Sequence, residues 1–115
     1  KDSKSRIQEE KYHAMIGDIA KQWKFLDREW DADDMKRLCI DQFKRDTKDD
    51  FADEWRKMKF KMAPSFDSSG VVMLGDQSRR FSVKLASAFI EWLYALGTEN
   101  NVKWTEPFPD DWMKK

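Results

Sequence analysis

Tyr12, Met15, Ile16, Ile19 and Trp23 recur at intervals of three and four, the spacing of one helical face, and predict a helix over residues 5 to 24. Ser5 can cap its start, and Glu9 and Glu10 fall in an early turn, where the helix dipole favours negative charge. The pattern breaks after Lys24, Phe25 and Leu26. It resumes with Asp31 as an N-cap, Asp34 as its acidic N3 partner, and Trp30 and Met35 as a hydrophobic staple across the cap. This second helix is expected to continue through Leu38, Cys39, Gln42 and Phe43 to about Arg45, with Lys44 and Arg45 in the last turn, where cations are favoured. A shorter third helix is expected to start at Thr47, with Asp50 completing a capping box and Phe51 and Trp55 on its buried face.

The period then changes. Met58, Phe60 and Met62 alternate with Lys57, Lys59 and Lys61, so extended structure is expected from near Lys57, ahead of Pro64 and the turn chemistry of Ser65 to Gly70. Val71 to Leu74 is a short apolar run between glycines and reads as a second strand, pairing with the first as an antiparallel hairpin. In that register Lys57, Lys59 and Lys61 form a lysine comb on one face, suited to phosphate or to protecting an edge strand from aggregation. Ser82 is the expected N-cap and Gly97 the expected C-cap of a final helix, whose apolar face is Leu85, Ala86, Phe89, Ile90, Leu93 and Leu96. Beyond the polar link Thr98 to Asn101, Val102 and Trp104 are candidate anchors, and residues 105 to 115, interrupted by Pro107 and Pro109, form an extended tail. The predicted fold is a single α+β domain, mainly α: two long N-terminal helices, a short third, a small hairpin and a long C-terminal helix.

A chain of 115 residues holds one modest core. It has no apolar run approaching the roughly 20 residues of a membrane span and no signal peptide, which implies a soluble, intracellular (cytoplasmic) protein; its first residue, Lys1, suggests that a segment preceding it has been removed or lies outside this sequence. The single Cys39, beside Ile40 in a helical pattern, reads as a buried structural thiol. Twenty-two basic and 22 acidic residues cancel, which argues against a nucleic-acid binder until their distribution is considered. Residues 1 to 54 carry a net −3 and residues 85 to 115 a net −2, whereas residues 55 to 84 carry 7 basic and 2 acidic side chains, a net +5. Six tryptophans and eight phenylalanines exceed what a small core requires, so some aromatics are expected at an interface with protein or unstacked bases.

Gly-rich phosphate loops, zinc spacings, nucleophile elbows and dinucleotide fingerprints are absent from the sequence, and no cofactor is implied. His13 lies one position off the apolar seam, and Asp18, five residues on, is wrongly placed for a paired ligand on one helical face. Asp31, Asp33 and Asp34 crowd a helix start, where capping explains them without a metal. What remains is basic chemistry interleaved with aromatics: Arg56, Lys57, Lys59, Phe60 and Lys61, then Arg79, Arg80, Phe81 and Lys84. Lysine and arginine neutralise phosphates, and a ring offers a platform to an unstacked base, although Phe60 and Phe81 also suit a core. Two other readings stay open: a metal-dependent single-strand or structure-specific nuclease using the carboxylates with His13, and a protein-interaction module using the tryptophans and the aromatic tail.

The run Pro64, Ser65, Phe66, Asp67, Ser68, Ser69, Gly70, Val71, Val72, then Leu74, Gly75, Gln77, Ser78, Arg79, Arg80 and Phe81, and later Phe89 to Gly97 with Val102, Lys103 and Trp104, resembles the NinB family, the Orf-like recombination proteins of phages and prophages. The first helix, with Ser5, Gln8, Tyr12 and the run His13 to Ala20, adds to the likeness, which covers about residues 4 to 107 in order. The resemblance implies a non-catalytic recombination mediator: a homodimer enclosing a channel, binding single-stranded DNA in preference to duplex, contacting the host single-strand-binding protein, and helping a recombinase load on coated strands. By position, the family's basic turn corresponds to Gln77, Ser78, Arg79 and Arg80, with Lys57, Lys59, Lys61 and Lys84 contributing a diffuse positive field. Two departures stand out. Family members carry an N-terminal region before the first helix that this sequence lacks, and Glu9 and Glu10 stand where related proteins have asparagine and arginine.

Overall fold

The computed structural model describes residues 6–58, 62–73 and 81–105, with backbone only at 57, 58, 62 and 71–73. Its first helix, α1, spans Arg6–Gln22 with Glu9 in the first turn and Lys21 in the last, both favourable to the helix dipole. Ser5, the expected cap, lies outside the described residues. The break after α1 is a single 3-10 turn, Phe25–Asp27, in which Leu26 and Asp27 take left-handed backbone angles (φ 59° and 58°). Such angles cost a residue with a Cβ roughly 1–2 kcal/mol. Offsetting contacts surround the turn: Trp30 Nε1 donates to the Phe25 carbonyl at 2.8 Å, the Phe25 ring meets Trp23 and Trp30, and the Arg28 guanidinium lies 3.9 Å over Trp30.

Helix α2, Ala32–Thr47, begins as the sequence implies, with the Asp31 carboxylate accepting from Asp34 N–H at 2.8 Å. It ends differently. Thr47 is the last residue of α2, its hydroxyl donating back to Phe43 O at 2.7 Å and accepting from Trp55 Nε1 at 3.1 Å. The hydroxyl expected to cap a third helix is thus consumed by the second, and α3 starts later, at Ala52–Met58. Lys57 accordingly belongs to α3 and not to a strand, which removes the first tooth of the expected lysine comb; Lys59 and Lys61 lie outside the described residues. The helical spacing of Phe51, Trp55 and Met58 outweighs the alternation there, because burying Trp55 against Phe43 and Phe81 favours another helical turn.

The hairpin is present. Strand β1, Met62–Pro64, pairs antiparallel with β2, Val71–Met73, in the register Met62↔Met73, Ala63↔Val72, Pro64↔Val71. Helix α4, Val83–Glu99, is capped by Ser82, whose Oγ accepts from Leu85 N–H at 3.1 Å. Gly97 does not end it. The helix runs on to Glu99, with Asn100 as its C-cap and Asn101 supplying the left-handed residue at φ 63°. Gly97 serves packing instead: a Cβ there would run into the Trp104 ring, and the Gly97 carbonyl accepts from Val102 N–H at 2.8 Å.

Helix α1 packs against both α4 and α2, and α2 meets α4. The core between them is aromatic. Phe43, Phe81 and Phe89 pack mutually at ring separations of 5.0 to 6.0 Å, and Tyr12, Trp55 and Trp92 close the cluster. Side-chain hydrogen bonds fix the elements around it. Trp92 Nε1 donates to Asp46 at 2.8 Å, linking α4 to α2, and Gln8, itself buried, donates to Val83 O and Ser87 Oγ, linking α1 to the start of α4. Gln22 pairs with the backbone N–H and carbonyl of Lys103, both at 2.8 Å, while Asp18 accepts from Thr105 N–H at 3.0 Å and from its hydroxyl at 3.1 Å. Residues 102–105 are thereby strapped along α1, with Val102 buried and Trp104 stacked on Tyr94 as anchors. The rest of the expected tail, 106–115, lies outside the described residues.

Among the described residues no helix is long and apolar enough to cross a membrane. Gly97→Ala is expected to destabilise the protein by about 1–3 kcal/mol through overpacking against Trp104, read as a lower urea midpoint. In a Trp104→Ala background the same change should cost little, since alanine is the better helix former. An unaltered midpoint for Gly97→Ala with Trp104 intact would contradict the role assigned to this glycine.

Candidate nucleic-acid interface

The basic island is bounded on one side by α3 and on the other by the start of α4, and both boundaries are anchored in the core. Trp55 holds α3 by its contacts with Phe43 and Phe81. Phe81 itself, 1 % exposed, comes directly after Arg80 in the sequence and directly before the Ser82 cap. Phe81 therefore acts as core and not as a platform for a base. Arg79 and Arg80 lie outside the described residues, as do Lys59, Phe60, Lys61, Gln77 and Ser78; Lys57 is described by its backbone in α3.

Two cations of the island have described side chains, and each faces a carboxylate of α3. Arg56 directs both terminal nitrogens at Asp53 Oδ1, 3.0 and 2.9 Å away. Lys84 lies 3.6 Å from Glu54 Oε2 and 5.5 Å from the centre of the Phe51 ring. Asp53 and Glu54 occupy the first turn of α3, where the dipole holds negative charge, so the pairing is built into the helix that begins the island. A charge window opening at residue 55 leaves these two acids just outside, although in space they balance Arg56 and Lys84. Arg56 and Asp53 are both exposed, and Lys84 is exposed although Glu54 is partly buried; such pairs contribute about 0–1 kcal/mol each, so a phosphate can compete for the two cations at little cost. The Arg56–Asp53 pair is legible as an i, i+3 helical spacing, whereas the Lys84–Glu54 pair joins two elements and has no local signature.

Other candidates resolve into structure. Phe43, Trp55, Phe81 and Phe89 form the core, and Trp23, Trp30, Trp92 and Trp104 are half-buried lids upon it, so packing absorbs most of the described aromatic surplus. Trp23, Phe25, Met35, Leu38, Cys39 and Trp92 line an apolar cleft of about 200 Å³ where the end of α1 meets α2 and α4. Cys39 is buried there as expected, and burial pushes its thiol up to about 12, far from the thiolate a nucleophile needs. His13 is partly exposed, 3.7 Å from Glu9 and packed on the Tyr12 ring. Among the described residues no group of three histidine, cysteine, aspartate or glutamate side chains is placed to hold a metal ion.

Sequence reading passed over three side chains that organise this region. Gln8 clamps α1 to the first turn of α4, Asp18 holds Thr105, and Phe66 stands fully exposed at the hairpin tip. A glutamine on a helical seam, like Gln8, or an aspartate one step off it, like Asp18, carries no sequence mark of its distant partner. Phe66 entered the sequence analysis only as one residue of the run that resembles the family.

No curated protein matches the chain. A solved structure described as a structural-genomics NinB is similar, with a TM-score of 0.60 and 27 % identity; the match covers 91 % of this chain and 64 % of that one. The chain thus spans a little under two thirds of the length of its solved relative. The family model for NinB protein matches residues 1–105, nearly the whole sequence, and the chain belongs to the NinB family.

Proposed function

We propose that this protein is a phage or prophage recombination mediator that binds single-stranded DNA as a homodimer and helps a recombinase load on strands coated by the host single-strand-binding protein. It would act in the cytoplasm of the bacterial host. Family membership across residues 1–105 is the observation that carries the reading. The charge distribution supports it, because the one net-positive segment of a neutral chain, residues 55 to 84, contains the sequence that corresponds to the family's basic turn. Arg79 and Arg80 are the proposed phosphate contacts. Since Lys84 and Arg56 already face carboxylates, the remaining excess charge falls on Lys57, Lys59 and Lys61, which supply the diffuse field.

The Arg79→Ala, Arg80→Ala double variant is expected to bind a labelled oligonucleotide more weakly and to lower the slope of log affinity against log salt by roughly 1.4, about 0.7 for each lost phosphate contact. Unchanged affinity and slope would remove these arginines from the site. Lys84→Ala alone should have a smaller effect, because it discards a cation already balanced by Glu54.

Releasing the paired cations should act in the opposite direction. Asp53→Asn with Glu54→Gln is expected to tighten binding at low salt and steepen the slope, measured by fluorescence anisotropy. Weaker binding by this variant, with the fold intact by circular dichroism, would show that the two acids do not compete with DNA for Arg56 and Lys84.

A further inference from the structure

Of the large apolar side chains exposed among the described residues, Phe66 is the most exposed, at 111 % of the reference value. It sits in the turn joining β1 to β2, one residue after Ser65, and no core residue packs against it. The turn that presents it is tightly bonded. Ser65 N–H donates to Gly70 O at 2.9 Å, Ser68 N–H donates to Ser65 O at 2.8 Å, and Gly70 N–H donates to Ser65 Oγ at 3.0 Å. Ser69 N–H donates to Asp67 Oδ1 at 3.0 Å, and Ser65 Oγ–H donates to the same oxygen at 3.1 Å. Hydrogen bonds from Ser69 first, then Ser65, hold the Asp67 carboxyl below the usual carboxylate range, so it stays ionised while accepting hydrogen bonds within the turn. Hydrogen bonding thus fixes the loop while leaving its one aromatic ring in water.

We propose that Phe66 is a stacking platform for an unstacked base of bound single-stranded DNA, an inference that rests on the single-strand-binding reading above. Three considerations favour a base over a protein surface. The ring stands alone: its neighbours Ser65, Asp67, Ser68, Ser69 and Gly70 are hydroxyl, carboxylate or glycine, and offer no continuous apolar patch. One ring face nevertheless suffices for one base, and such stacking tolerates any sequence. Finally, Phe66 falls within residues 55 to 84, the one net-positive segment of the sequence, where a strand of phosphates is favoured. A loop backbone already fixed by its own hydrogen bonds has less left to order when a base stacks on the ring it carries.

The test is a salt titration of an oligothymidylate probe against the wild type, Phe66→Ala, Phe66→Leu and Phe66→Trp, with thermal unfolding measured in parallel. Phe66 has no core contacts to lose, so all three variants are expected to melt with the wild type. Phe66→Ala should weaken binding roughly 5- to 150-fold while leaving the salt slope unchanged, because stacking releases no counterions. Phe66→Trp should restore affinity and Phe66→Leu should not, since leucine is apolar but has no π face. A probe carrying 5-iodouracil should cross-link to Phe66. Wild-type affinity in Phe66→Ala, or full rescue by leucine, overturns the proposal while the single-strand-binding reading stands. Failure of the wild type itself to bind removes that reading and this one together. A smaller solution mass for Phe66→Ala with unchanged DNA affinity would assign the ring to a contact between copies of the chain, which also overturns it.

Discussion

The packing of Phe81 is the constraint on which the rest of the structure depends. Its ring contacts Tyr12 of α1, Phe43 of α2, Trp55 of α3 and Phe89 of α4, so the four described α-helices meet at one residue. It is also the residue where the basic stretch ends and the α4 cap begins. Burying such a ring contributes about 1.5–3 kcal/mol through the area removed from water, and its edge-on partners add to that. The sequence that carries the positive charge is thereby tied at its C-terminal end to the buried aromatic centre of the core.

Electrostatics are arranged around that anchor in a way that charge counting along the chain misses. The first-turn acids of α3 satisfy the helix dipole and at the same time face Arg56 and Lys84, so the flanks of the island are nearly neutral and its excess charge is concentrated elsewhere. Because both cations are solvent-exposed, these pairs do not lock them away. The hairpin tip follows a different logic. There the polar groups bond to one another, and an apolar ring is left outward.

Helix spans and faces were legible because periodicity reports burial directly: Tyr12, Met15, Ile16 and Ile19 form the buried seam of α1, and Leu85, Ala86, Phe89, Ile90 and Leu93 that of α4. The Asp31 and Ser82 caps were legible for the same local reason. Boundaries failed where a distant partner decided them. Thr47 was read as a cap but is occupied by Phe43 and Trp55, and Gly97 was read as a stop but is glycine because Trp104 lies against it. Of the candidate site, the sequence showed only where the cations fall along the chain. Sequence spacing located the cations, but the pairing of Lys84 with Glu54 and the burial of Phe81 depend on how α3 and α4 meet.

The central claim is that a neutral chain binds single strands through a locally concentrated positive charge. The most direct measurement is a titration of wild-type protein with matched single- and double-stranded oligonucleotides from low to moderate salt, with the mass of the free protein determined in the same buffer. The account predicts tighter binding to the single strand, a dimeric mass, and log affinity falling linearly with log salt. Absence of binding at low salt, or equal affinity for both forms, would contradict it.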